Sequence, residues 1–218
     1  MTLLSLFTLQ ISLITMITFL MLIQTRIANL VILLIFQNIV LTSYLICKAW
    51  VFPNAELIIS LIFTFLIKVF VLPWGIWKFV NYLKLTQRIE PILNRPTLQC
   101  AGLLLTAFSL FISHQIETVI GPHAIAGFSL SLANIMLALL LIIFRKKAIS
   151  QVIGLLVMEN SIFILTTNLT NGFPWLIELG VSFDILIGFM IFGLFLLRIR
   201  STYGSLHLQN LEKLKERF

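Results

Sequence analysis

Three ionisable residues lie in the middle of long apolar runs of this chain: Lys68, Glu159 and Asp184. A charged side chain at the centre of a bilayer costs about 2.5–3.5 kcal/mol on an insertion scale, and such residues usually mark ion or proton pathways. Burial raises the pKa of a carboxyl group and a nearby cation lowers it, so an acid under both influences can titrate near neutrality. The three residues therefore predict a proton pathway.

The alternative is a buried ion pair that only fixes packing, joining Lys68 to either Glu159 or Asp184. One cation cannot neutralise two acids, so we expect at least one acid to be protonated or solvated by internal water. Asp184 shares a helix face with Gly180 and Gly188. Because small residues spaced by four let another helix approach closely, we expect Asp184 to lie in a helix–helix seam.

The composition indicates the solvent of these helices. Of 218 residues, 60% are hydrophobic and only 11% are charged, whereas about a quarter of a soluble domain is charged. The chain is therefore expected to be an all-α integral membrane protein. The net charge of +7 does not indicate nucleic acid, because the basic residues lie in short loops. Cys47 and Cys100 are isolated, and no cleavable signal peptide is expected.

The apolar runs predict seven transmembrane helices, since about 20 mostly apolar residues span a bilayer and no strand-type alternation appears. Thirteen of the 15 Lys and Arg residues would then lie on one side, which predicts an outside N-terminus and a cytoplasmic C-terminus. The tail, 201–218, is predicted to be amphipathic. The predicted spans are 2–23, 27–47, 56–80, 98–114, 122–144, 148–169 and 174–198.

An internal repeat is expected at an offset of 122 residues. "LLIFQN" (33–38) falls on "LLVMEN" (155–160), and "ELIIS" (56–60) falls on "ELGVS" (178–182). Spans one to three and five to seven would be parallel copies, and span four would return the chain, a 3+1+3 arrangement. The expected units are 1–80, a basic connector plus linking helix at 81–121, the second copy at 122–200 and the tail at 201–218.

The copies differ at the ionisable positions, because Glu159 replaces Gln37 and Asp184 replaces Ile62. His114, Glu117 and His123 match no metal-ligand spacing. No nucleotide loop, nucleophile elbow or haem motif is present, so we expect no cofactor, no metal and no catalysis by this chain alone. Weaker candidates, for ion access at span ends or for interhelical hydrogen bonds, are Glu178, Glu56, Gln37, Asn38 and Asn160.

Three segments resemble the hydrogenase-4 component E family: "QVIGLLVMENSIFIL" (151–165), "PWLIELGVSFDILIGFMIFG" (174–193) and "FLIKVFVLPWGI" (65–76). The resemblance covers the whole chain. Its last three helices are similar to the K-type subunit of respiratory complex I and the C subunit of multisubunit cation/proton antiporters. Glu159 and Asp184 occupy the places of the two acids in those subunits, although the complex I subunit typically has Glu at the second place.

The resemblance implies a non-catalytic, multi-pass subunit of a complex I-like oxidoreductase assembly in a bacterial or archaeal cytoplasmic (inner) membrane, contributing to proton or sodium translocation. The implied partners are antiporter-like and other membrane subunits, and nickel-iron hydrogenase and iron–sulfur subunits. The alternatives are another ion-coupled complex or antiporter, a stand-alone transporter of a small ion, and a purely structural spacer.

Overall fold

The computed structural model describes residues 2–51, 58, 61–62, 64–82, 93–116 and 125–170. All of them belong to the first of two compact units, Met1–Val181, and the second unit, Ser182–Phe218, lies outside the described residues. The described part is helical and contains no β-strand. Its helices are α1 (Thr2–Ile23), α2 (Ile27–Val51), a π-helix (Thr64–Val71) continuing into α3 (Leu72–Tyr82), α4 (Arg95–Gln115), α5 (Ile125–Ile143) and α6 (Ala148–Thr170).

Five of the described helices, α1, α2, α4, α5 and α6, are long and apolar enough to cross a membrane. They correspond to the first, second, fourth, fifth and sixth predicted spans, with ends that agree within four residues. The largest difference is at α2, which continues to Val51. The seventh span and the first part of the third lie outside the described residues, so seven spans and the membrane orientation stay predictions.

The third predicted span contains an irregularity that hydropathy does not indicate. Residues Thr64–Val71 form a π-helix, in which a carbonyl bonds to the amide five residues later. For Lys68 that residue is Pro73, which has no backbone N–H to donate. The side-chain amide of Asn38 instead donates to the Lys68 carbonyl at 2.6 Å. The proline thus explains why α2 supplies a hydrogen bond at this point.

Helices that correspond in the predicted repeat pack against each other: α1 against α5, and α2 against α6. Asn38 contacts Asn160 and Tyr44 contacts Asn168. Contact positions therefore advance together along both helices, and α2 and α6 run parallel. Helix α4 packs on α5 and α1, while the π-helix and α3 pack on α2.

Glycines permit close contact between α6 and α5 and between α4 and α1. A methyl group added at Gly154 of α6 would lie 2.7 Å from Cγ1 of Ile142 in α5, and one at Gly102 of α4 would lie 3.0 Å from the Phe19 ring. Close approach of this kind matters in a bilayer, where packing and interhelical hydrogen bonds replace the hydrophobic effect as the force between helices. One buried apolar cluster joins α1, α2 and α6 through Ile11, Ile14, Leu41, Tyr44, Leu45, Phe163 and Ile164.

Candidate functional site

A buried ion pair lies between the π-helix and α6. Lys68 Nζ is 2.9 Å from Glu159 Oε1, and the two side chains are 3% and 8% exposed. Glu159 is the one acidic residue in the described part of the chain. The Lys68 ammonium also lies 5.4 Å from the centre of the Phe163 ring, one turn along α6. Of the two pairings open from the sequence, the structure therefore contains the one with Glu159.

The backbone carbonyl and the side-chain ammonium of Lys68 both contact neighbouring helices. Its carbonyl accepts from Asn38, and the Asn38 Oδ1 accepts from Asn160 Nδ2 at 2.7 Å. Because Asn160 follows Glu159 on α6, the backbone and the ammonium of Lys68 are tied to the same turn of that helix. The two asparagines and the ion pair form one buried polar group, with both amides 2% exposed.

Gln37, the counterpart of Glu159 in the predicted repeat, faces a different neighbour. Its Nε2 donates to Thr18 Oγ1 of α1 at 3.2 Å, and its Oε1 accepts no hydrogen bond from any residue that the structure describes. Asn134 of α5 makes a similar contact with Thr15 of α1, at 3.0 Å. The amides of α2 and α5 thus contact adjacent turns of α1.

The remaining sequence candidates do not join this group in the described structure. Asp184, Glu178 and Glu56 lie outside the described residues, as do Glu117 and His123. His114 is exposed near the end of α4. Within the described ranges no cluster of three or more metal-ligating side chains occurs.

Two buried cations were not expected from the sequence. Lys48 lies in the last turn of α2 and is 4% exposed, whereas the predicted span ended before it and placed it in an outer loop. Its Nζ donates to the Thr167 carbonyl in the last turn of α6. The continuation of α2 to Val51 is the reason for this burial.

Arg145, expected in a basic loop, is 1% exposed between α5 and α6. Its guanidinium donates to the carbonyls of Met21, Leu22 and Gln24 at 2.7, 3.0 and 2.6 Å. Met21 and Leu22 belong to the last turn of α1, whose carbonyls lack partners within the helix, and Gln24 follows it. Burial lowers the pKa of Arg145 to about 10, so the group stays charged at neutral pH. A cation near a helix C-terminus is the signal that was available in the sequence for both residues.

The Lys68–Glu159 pair places a basic and an acidic side chain in contact inside the bundle. With Glu159 ionised, the ammonium and the carboxylate neutralise each other inside the bundle. A buried acid in contact with a buried base is the kind of group from which a proton relay or an electrostatic switch is built.

Comparisons with known proteins agree with a membrane family. The uncharacterised protein Rv0085 of Mycobacterium tuberculosis is 31% identical over 153 residues, covering 69% of each chain. Hydrogenase-4 component E of Escherichia coli K12 is 21% identical over 179 residues, covering 82% of this chain and 83% of the relative. The protein of the same name from Shigella flexneri gives the same figures.

No family model matches the chain and no solved structure matches it. The distant similarity to hydrogenase-4 component E supports a hydrogenase-4-related, complex I-like membrane family, and the apolar helices support a multi-pass membrane protein. The 31% identity to Rv0085 extends over more than two thirds of both chains, which is enough to assign a family. The chain belongs to the same family as the uncharacterised protein Rv0085 of Mycobacterium tuberculosis.

Proposed function

We propose that this chain is a membrane subunit of a complex I-like assembly, related to hydrogenase-4, and that Glu159 and Lys68 take part in proton or sodium translocation. The similarity to a protein named hydrogenase-4 component E, over 82% of the chain, supports membership of a multisubunit complex. Antiporter-like, nickel-iron hydrogenase and iron–sulfur subunits are the proposed partners. The chain itself would not be catalytic, and the proposed location is a bacterial or archaeal cytoplasmic membrane.

The observation that carries the translocation role is the buried pair between Lys68 of the π-helix and Glu159 of α6. Intramembrane ionisable residues are costly and usually functional, and π-helical turns are frequent at functional sites. A hydrogen bond between amides, such as that of Asn160 with Asn38, can join two helices without an ionisable group. The ion pair adds groups that change charge, which packing does not need.

In the proposed cycle the ionised Glu159 accepts a proton while Lys68 is held beside it as an ammonium. The neutral carboxylic acid no longer holds the ammonium, so Lys68 is freed to move or to pass on a proton. Loss of the proton restores the pair. Asp184 enters the proposal from the sequence alone, as the second acid of the route.

The test is Glu159→Gln in the assembled complex in its native membrane. Glutamine keeps the size and a hydrogen-bond acceptor for Lys68 but cannot exchange a proton, so we expect assembly with loss of most translocation. Assembly is measured from the subunits that co-purify with the chain, and translocation from acidification of sealed vesicles, with and without sodium. The matched control is Gln37→Met, which removes the polar group at the counterpart position.

Normal translocation by a normally assembled Glu159→Gln complex would contradict the proposal. Loss of assembly in that variant would instead support the structural-spacer alternative. Ion transport by the purified chain alone in liposomes would favour a stand-alone transporter. Translocation that requires sodium in the unaltered complex would identify sodium as the coupling ion.

A further inference from the structure

Lys48 of α2 is a second buried lysine that contacts α6, outside the Lys68–Glu159 pair. It is 4% exposed, its Nζ donates to the Thr167 carbonyl, and it lies 5.8 Å from the centre of the Tyr44 ring. The one carboxylate in the described ranges, Glu159, pairs with Lys68. Among the described residues, Lys48 thus contacts an aromatic ring and a helix terminus.

The two lysines contact the same face of α6. Lys68 contacts Glu159 and Phe163, and Lys48 contacts Thr167. These α6 positions are spaced by four residues, so they follow one another along one side of the helix. Eight residues at 1.5 Å each separate the first from the third by about 12 Å along the axis. The second lysine is therefore two turns nearer to the end of α2 and α6.

An apolar layer lies between the two positions. Phe163, which contacts the Lys68 ammonium, and Tyr44, which contacts the Lys48 ammonium, belong to one buried cluster with Ile164, Leu41 and Leu45. The Tyr44 hydroxyl itself donates to Asn168 Oδ1 at 3.1 Å. These apolar side chains separate the ion pair from Lys48.

We propose that Lys48 is a further proton-carrying group of this protein, the station between the Lys68–Glu159 pair and the water at the α2–α6 end. This inference rests on the proposed function. The Lys68 ammonium gives its proton through water to the neutral amine of Lys48. The carboxylic acid of Glu159 reprotonates Lys68 and becomes a carboxylate, and the Lys48 ammonium releases its proton to bulk water. In this proposal a side-chain movement at Phe163 lets water enter the apolar layer, and the proton crosses through that water.

A structural role for Lys48 makes a different prediction, because a cation at a helix C-terminus also stabilises the helix. Arginine separates the two roles. It keeps the positive charge and the donors for the Thr167 carbonyl, but it stays protonated at neutral pH and so cannot carry protons. Glutamine keeps a donor without the charge. If Lys48 only caps α6, Lys48→Arg is functional; if it carries protons, Lys48→Arg assembles and fails.

The experiment places Lys48→Arg, Lys48→Gln and Glu159→Gln in the complete complex and measures co-purifying subunits and vesicle acidification. Lys78→Arg is the matched control, because Lys78 is an exposed lysine that contacts an aromatic ring, 4.7 Å from the centre of Trp74. We expect both Lys48 variants to assemble and to lose most of their translocation, with Lys78→Arg unchanged.

Translocation at the unaltered rate in Lys48→Arg, with Glu159→Gln impaired, overturns the inference and leaves the proposed function standing. If neither Lys48 variant assembles, Lys48 is a structural cap and the inference is also overturned. Unimpaired translocation by assembled Glu159→Gln overturns the proposed function itself, whatever the Lys48 variants do.

Discussion

Asn160 Nδ2 donates a hydrogen bond to Asn38 Oδ1 at 2.7 Å, and these two residues are 122 positions apart, the offset of the predicted repeat. The two helices that carry them run parallel. Corresponding residues of two parallel copies meet in this way when a two-fold axis passes between them. The third helix of the second copy lies outside the described residues, so the repeat itself stays a prediction.

Replacing Asn38 should destabilise the protein more than replacing Asn160. Asn38→Leu removes the bond to the Lys68 carbonyl as well as the bond from Asn160, whereas Asn160→Leu removes the second bond alone. An interhelical hydrogen bond in a membrane contributes about 0.6 kcal/mol on average and about 1.7 at most. Unfolding in mixed micelles measures the free energies. A double variant whose effect equals the sum of the single effects would show that the two amides are not coupled.

Removing one partner of the ion pair should cost more than removing both. Glu159→Leu leaves the Lys68 ammonium buried without its carboxylate, which costs about 3–5 kcal/mol. The double variant, Glu159→Leu with Lys68→Met, replaces the pair with apolar side chains of similar size and should regain most of that loss. The measurement is again the free energy of unfolding in micelles. A double variant as unstable as Glu159→Leu alone would refute a direct pair.

Gly154→Ala should be destabilising by about 1–3 kcal/mol through overpacking. The added methyl group would meet Ile142 of α5 at 2.7 Å and its backbone nitrogen at 3.3 Å. The matched control is Gly75→Ala in α3, where no atom lies within 4 Å and alanine is the better helix former. The measurement is the thermal unfolding midpoint of each variant in detergent. Equal midpoints for the two variants would contradict the close packing of α5 and α6.

Arg145→Ala should destabilise the bundle, because the carbonyls of Met21, Leu22 and Gln24 lose a charged donor. Hydrogen bonds to charged groups contribute about 1.5–3 kcal/mol each, so the total loss is expected to exceed that of any single asparagine change. Lys146→Ala is the neighbouring control, since Lys146 is exposed. An equal stability of the two variants would contradict a stabilising role for the hydrogen bonds from Arg145 to the end of α1.

The same arginine gives a prediction of pH dependence. Burial lowers its pKa to about 10 in the folded protein, below the value of the unfolded chain. At neutral pH it is charged in both states, so the difference between Arg145→Ala and the unaltered protein should not vary there. Above about pH 10 the unfolded state holds more protons, and the contribution of this group to stability rises with pH. Unfolding measured across the neutral range tests the first statement.

The five described spans and most of their ends could be predicted from the sequence. A bilayer-spanning helix is a local object: its length follows from the thickness of the apolar phase, and its backbone groups are all bonded within the segment. The sequence also predicted that Lys68 and Glu159 face the interior of the bundle, and both are buried. The π-helix could not be predicted, because hydropathy averages over a turn and the effect of Pro73 depends on a donor from α2.

What only the tertiary structure decided is which polar groups meet. The sequence by itself left Lys68 with two carboxylates as partners, and helix packing brought Glu159 to it. The sequence placed Lys48 and Arg145 in loops. In the structure α2 continues past Lys48, and Arg145 is buried against the end of α1. Such pairings depend on how separate helices approach one another, and a window of apolar residues carries no information about that approach. A spanning helix, in contrast, is determined by the apolar length of its own segment.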